Sequence, residues 1–381
     1  MQHKNTIKLL FLAGIIMLSA SCANDDDTAF TPMEFTTPTY ETNLELLLGD
    51  TLKLNQEILN LPENVQFKWT TEDTVLSKLQ NLEYTPKQAK TFELTFKALS
   101  DLDSISRTYQ IKVNDPYDVY YRPKSSESSP LISQLLAYNP APGQFINSSF
   151  GTPEDAQKLI GSTTNTISLG AWGGSILVGF DHTIENVADA KDFLVYGNAF
   201  NGLSEPGIVQ VSFDANGNGL ADDTFYELRG SAHADAATLT NYTTTYTNPG
   251  MHADVPWLDS SNTAGSVAVN SYHPQNFYPL FITELEEVSY TGTRVFPVVS
   301  NSGFTNIAAL EWGYVDNYDA DYATYKGNLL DIDQAIDADG NSVNLRGIDF
   351  IRIYTGAQVN AGALGELSTE IRGIADFSML E

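Results

Sequence analysis

Between Asp214 and Asp223 the chain reads DANGNGLADD, its densest run of oxygen donors. Asp214, Asn216 and Asn218 alternate ahead of Gly219, the backbone carbonyl of Leu220 follows, and Asp222 and Asp223 close the run. Alternate side-chain oxygens around a glycine turn can converge on one hard cation, and this is the first half of an EF-hand-type loop. The bidentate Glu of such a loop is missing. Phe225 stands in its place and Glu227 comes two residues later, so a full calcium site needs outside ligands such as Asp316, Asp319 or Asp321. The alternative is a hairpin whose Asn-Gly pairs simply make tight turns. The expectation carried forward is a structural Ca2+ on Asp214, Asn216, Asn218, Leu220, Asp222 and Asp223.

Aromatic side chains in Gly-, Asn- and Asp-rich stretches are the second chemical signal. Large flat rings with a polar handle cover a flat amphipathic ligand at little entropic cost. Trp172, Trp257, the run Tyr272-His273-Pro274-Gln275-Asn276, and Trp312-Gly313-Tyr314 are the expected ligand contacts. Catalytic constellations are less visible. His182, His233, His252 and His273 have no zinc spacing, and the chain holds no HExxH or GxSxG string. Glu205 beside Pro206 and Glu311 beside Trp312 are the carboxylates that would serve a glycosidase, but strand-end carboxylates of this kind are usually solvated. The expectation is a binding protein, not an enzyme.

These residues need a β framework. DFLVYGN (192–198), GIVQVSF (207–213) and TFYELRG (224–230) are strand-length runs of β-branched and aromatic residues bounded by Gly, Pro, Asn or Asp, and the reading places them in one sheet. TPEDAQKLIG is a marked helix, with Thr152 as N-cap, Pro153 at the first helical position and Gly161 as the stop. Upstream, GDTLKLN, VQFKWTT, TFELTFKA and SRTYQIKV fall at sandwich spacing, with Trp69 facing the core. The expected fold is mainly β: a PKD-like or Ig-like sandwich over 40–115, a linker over 116–129 where Pro, Ser and charge concentrate, and a larger jelly-roll-like β-sandwich domain with few short helices over 130–381.

The N-terminus reads as an export signal. Lys4 and Lys8 precede the apolar run LLFLAGIIML, and small residues lead into Cys22, the only cysteine of the chain. Residues 1–21 are the expected lipoprotein signal peptide, Cys22 the lipidated residue, and 22–39 a Thr- and Pro-rich tether. One cysteine excludes an intramolecular disulfide. Removing residues 1–21 takes away two lysines and no acid, leaving 18 basic against 48 acidic side chains and a formal charge of −30. Such a surface repels phosphate backbones, which argues against nucleic acid as a partner.

Four segments, 173–200, 204–231, 255–281 and 330–357, resemble in order the BtuH-like cobalamin-binding surface lipoproteins of Bacteroidota vitamin B12 uptake loci. The lipobox and the PKD-like module fit the same family, and the acidic run Ala23-Asn24-Asp25-Asp26-Asp27 resembles the signal that sorts Bacteroidota lipoproteins to the outer cell surface. The resemblance implies an outer-membrane, outward-facing lipoprotein. It would bind cobalamin as cargo, not as a catalytic cofactor, and pass it to a TonB-dependent transporter. The alternative is a carbohydrate-binding or adhesion lipoprotein on a calcium-stabilised β-sandwich, which would use the same aromatic and acidic features.

Overall fold

A computed structural model describes residues 30–380 except 73, 283–284, 302–304 and 363–364. Cys22 and the signal sequence lie outside the described residues. The chain forms two compact units that divide at Val113/Asn114.

In the first unit, alternation decides the core. The strands Thr91–Leu99 and Ser104–Asn114 pair antiparallel from Thr91/Lys112 to Leu99/Ser104 and bury every second residue. Period-two burial puts Phe92, Leu94, Phe96 and Ala98 on the same face, where Trp69 is fully buried with its indole 4.8 Å from the Phe96 ring. Asn43–Leu47, Gln66–Thr71 and Thr74–Ser77 complete a five-stranded sheet, and the small pair Leu52–Leu54/Leu82–Tyr84 lies beside it.

The second unit is built from several antiparallel sheets. Six strands order as Gln134–Asn139, Ser175–Glu185, Gly347–Thr355, Gly207–Ser212, Tyr226–Leu228 and Ala335–Ile336. A three-stranded sheet, Gly327–Leu330, Phe193–Tyr196 and Gly373–Asp376, supplies Phe193, Val195, Leu330 and Ile374 to the same core as Val178, Val209, Val211, Ile351 and Ile353. The long strands Ser175–Glu185 and Gly347–Thr355 of the larger sheet are buried almost throughout, as strands covered on two faces must be. A four-stranded sheet, Ala264–Val267, Val255–Asp259, Leu239–Thr247 and Glu287–Arg294, closes a second core around Trp172, Tyr242, Tyr246 and Tyr278.

The fold is therefore mainly β and sandwich-like, as expected, and the α-helices among the described residues are short. Pro153–Gln157 is one of them. The Thr152 hydroxyl accepts from the Asp155 amide at 3.1 Å, and Gly161 turns the chain away with φ +65°. One expectation is corrected. Of the three strands read as one sheet, 207–212 and 226–228 do pair, but Phe193–Tyr196 is the middle strand of the opposing sheet. All four of its side chains are apolar or aromatic, which suits either layer, so composition could not choose between them. Residues 116–129 start with the helix Pro116–Tyr120. The Tyr117 ring there lies 5.2 Å from Phe213, and Arg122 forms a 2.8 Å ion pair with the buried Asp349.

Candidate functional site

The loop 310–317 is fixed by the Asn317 side chain at its base and by Ser231 alongside it. Asn317, fully buried, accepts from the Leu310 amide at 2.8 Å and donates to the Leu310 carbonyl at 2.8 Å, closing the loop at its base. The Ser231 hydroxyl accepts from the Glu311 amide, and the Ser231 amide donates to the Trp312 carbonyl at 3.0 Å. Gly313 has φ +88°, and a Cβ there would stand 2.5 Å from the Gly230 Cα, so only glycine lets the loop seat against residues 229–230. Pinned this way, Trp312 stays about 40% exposed while Tyr314, two residues on, is buried.

Trp312 borders a cleft of about 280 Å³. Lys191 and Arg229 supply positive charge there, and Glu311, Asp319, Asp321 and Asp331 supply carboxylates. Several of these groups are held in place. Lys191 pairs with Asp331 at 3.3 Å, and Arg229 donates to the Gly340 carbonyl at 3.0 Å. Asp319 accepts from the Asn328 amide group at 2.8 Å and from the Tyr322 amide at 3.2 Å. Burial nevertheless raises its carboxyl above the usual range. An indole face beside fixed carboxylates and cations can stack on the C–H face of a sugar while its neighbours bond the hydroxyls.

The structure disperses the expected ligand contacts. Trp312 alone of them lines this cleft. Trp257 is half-buried on the four-stranded sheet, its indole lying over Gly265 and bordering a cavity of about 60 Å³. Tyr272 is exposed, and His273 meets Phe145 edge-on at 5.0 Å. The Gln275 side chain donates to the Gln144 carbonyl and the Asn276 carbonyl accepts from Asn147 at 2.7 Å, so these two residues brace one loop against another.

Two expectations are corrected outright. Trp172 is fully buried, with its indole N–H on the Thr293 carbonyl at 3.3 Å and its ring edge-on to Tyr242 at 4.8 Å. Tyr314 is buried too, its hydroxyl accepting from the Ala232 amide at 3.1 Å. Both belong to cores, because their polar atoms find partners inside the protein. Lys191, Arg229 and Asp331 line the Trp312 cleft and are not among the expected ligand contacts. They carry no local motif, and only the folding of three separated segments brings them to Trp312.

The DANGNGLADD loop closes on itself. Asp214 accepts from the Asn218 and Gly219 amides at 3.1 and 2.9 Å, Asn216 from the Asn218 amide at 3.0 Å, and Asn218 from the Leu220 amide at 2.7 Å. The Asn216 and Asn218 side-chain amides both donate to Asp222, and Asp223 accepts from the Ala215 amide at 3.1 Å. Gly217 and Gly219 take φ of +70° and +74°, as the turns require. Asp316, considered as an outside ligand for this loop, stands instead with Glu205 and Glu370, whereas Asp319 and Asp321 border the Trp312 cleft. Glu311 lies on that cleft as well, apart from the carboxylate group that holds Glu205.

No protein-family model and no curated protein sequence matches the chain. Among solved structures, a SusE-like protein matches at 10% identity, covering 91% of this chain and 96% of its own, with a TM-score of 0.25. The Bacteroides ovatus mixed-linkage glucan utilization locus protein SGBP-B, solved with a mixed-linkage heptasaccharide, matches at 8% identity over 64% of this chain and 48% of its own, with a TM-score of 0.21. A structure of carbohydrate-binding modules of the β-sandwich superfamily matches at 10% identity over 90% of this chain and 96% of its own, with a TM-score of 0.16. Scores this low define no common architecture for the whole chain, and the ligands of those proteins stay with those proteins.

Proposed function

We propose that this is a non-catalytic ligand-binding protein, exported and held at the outer cell surface by a lipid on Cys22, and that it captures carbohydrate at the Trp312 cleft. The observation that carries the ligand class is the half-exposed indole of Trp312, fixed by Gly313 and Ser231 beside both carboxylates and cations. Size supports the same class. Pockets for drug-sized ligands run from about 300 to 1,000 Å³, and a cleft near the lower end of that range suits one or two sugar rings. A corrin with its peripheral amides and nucleotide loop is far larger than this cleft. Cobalamin, the second reading, rests on the resemblance of four sequence segments and would require contact over a wider surface.

Calorimetric titration of the mature chain against a panel of soluble oligosaccharides, with cyanocobalamin as a separate arm, tests both. Saturable heat with a glycan, weakened at least tenfold in Trp312→Ala while the melting temperature stays within a degree or two, is the expected result. Tight binding of cyanocobalamin that Trp312→Ala leaves untouched, with no glycan retained, would replace this reading with the second.

A further inference from the structure

Three carboxylates from distant parts of the second unit converge inside it. Glu205 precedes the strand Gly207–Ser212, Asp316 ends the loop that carries Trp312, and Glu370 lies in the short strand Glu370–Ile371. One oxygen of each lies within 4.8 Å of the other two. Oxygens bound to one calcium ion at about 2.4 Å can be no farther apart than about 4.8 Å, the diameter of the coordination sphere. Asp316 and Glu370 are buried and Glu205 is half-buried.

The three groups are locked in position. Asp316 accepts from the amides of Asn198 and Ala199 at 3.0 and 2.9 Å with one oxygen and from the Glu370 amide at 2.8 Å with the other. Glu205 accepts from the Ser368 amide at 3.2 Å, and its own amide donates to the Asp316 carbonyl at 2.9 Å. The independent sign of a missing ligand is Glu370. Its Oε1 is buried with no hydrogen-bond partner, and its carboxyl lies within hydrogen-bonding reach of that of Glu205. Two facing carboxylates offer only acceptors, so a proton or a cation must stand between them. Burial raises all three groups above the usual carboxylate range, and the charge of Glu370 raises Glu205 and Asp316 further. No lysine or arginine forms an ion pair with any of the three among the described residues.

We propose that Glu205, Asp316 and Glu370 bind a divalent cation that clamps these three segments together. The donors are all hard oxygens, with no imidazole or thiolate among them, which selects calcium over zinc. The site is separate from the DANGNGLADD loop and independent of which ligand Trp312 takes.

The mature chain, stripped with EGTA and desalted, would be dialysed against Ca2+ and its bound metal counted. Asp214→Asn/Asp222→Asn removes the contribution of the other loop. One calcium retained by that variant, with a melting temperature several degrees higher than without the ion, is expected. Adding Glu370→Gln should then abolish the retained ion and its thermal effect, weakening calcium binding at least 100-fold. Glu205→Gln, at the half-buried edge, is the second variant should Glu370→Gln not fold. No calcium on the Asp214→Asn/Asp222→Asn chain, or retention unchanged by Glu370→Gln or Glu205→Gln, would overturn the proposal and leave a proton shared within the carboxyl cluster.

Discussion

Trp172→Ala should cost the second unit about 3–5 kcal/mol, the range for removing a fully buried large aromatic, whereas Trp257→Ala should cost clearly less. Trp172 is fully buried in one cluster with Ala141, Tyr242, Tyr246, Val255 and Phe277, its ring edge-on to Tyr242. Deleting the indole loses this burial, leaves a cavity and strips the Thr293 carbonyl of its donor. Trp257 is only partly buried on the four-stranded sheet, so less apolar area returns to water when it is cut back. Urea denaturation followed by circular dichroism would resolve this. Because the chain has two compact units, the comparison is between midpoints of the transition that Trp172→Ala moves, not a single free energy for the whole chain. Equal and small losses in the two variants would mean that Trp172 is not a core residue.

That contrast shows what could be read from sequence and what could not. Strand periodicity was legible wherever a sheet has one wet face. In Thr91–Leu99 and Ser104–Asn114 alternation alone marks the inward residues, and Trp69 was placed in the core on that ground. The helix at Pro153 was legible because its cap is local. Trp172 and Trp312, in contrast, look alike in sequence, each beside glycine. Gly173, with φ +88°, is packed so closely that a Cβ would stand 2.4 Å from the Cβ of Tyr290, so its chain turns under an aromatic cluster. Gly313 has the same φ and turns Trp312 outward. What separates them is a partner far along the chain, the Thr293 carbonyl for one and the Ser231 backbone and hydroxyl for the other. Glu205, Asp316 and Glu370 were invisible as a group for the same reason, since only the fold makes them neighbours.

His182→Asn should destabilise the second unit by about 3–5 kcal/mol near pH 5.5, the loss expected when one partner of a buried charged group is removed, and the deficit should shrink as pH rises. His182 is fully buried in the strand Ser175–Glu185. Its Nδ1 lies 2.7 Å from Asp181 and its Nε2 3.0 Å from Asp376, so both ring nitrogens face carboxylates. A neutral imidazole would turn one lone pair onto an acceptor, and only the imidazolium donates to both. Burial by itself would lower the pKa of His182, but the hydrogen bonds and charges of Asp376 and Asp181 outweigh it and hold the ring above its ordinary value. Both aspartates are held below theirs despite burial, chiefly through His182, with Ser378 and Lys124 also acting on Asp376 and Ser129 and Arg122 on Asp181. A raised histidine contributes stability fully below the unfolded value of about 6.5 and loses it as pH climbs through the higher folded value. Depressed aspartates contribute above about 3.9 and lose it as pH falls through their folded values. The gap between wild type and His182→Asn should therefore be widest between these limits and narrow toward alkaline pH. Paired urea titrations at pH 5.5, 7.5 and 9 measure it, and a gap that stays constant across the three would show that the native ring carries no charge.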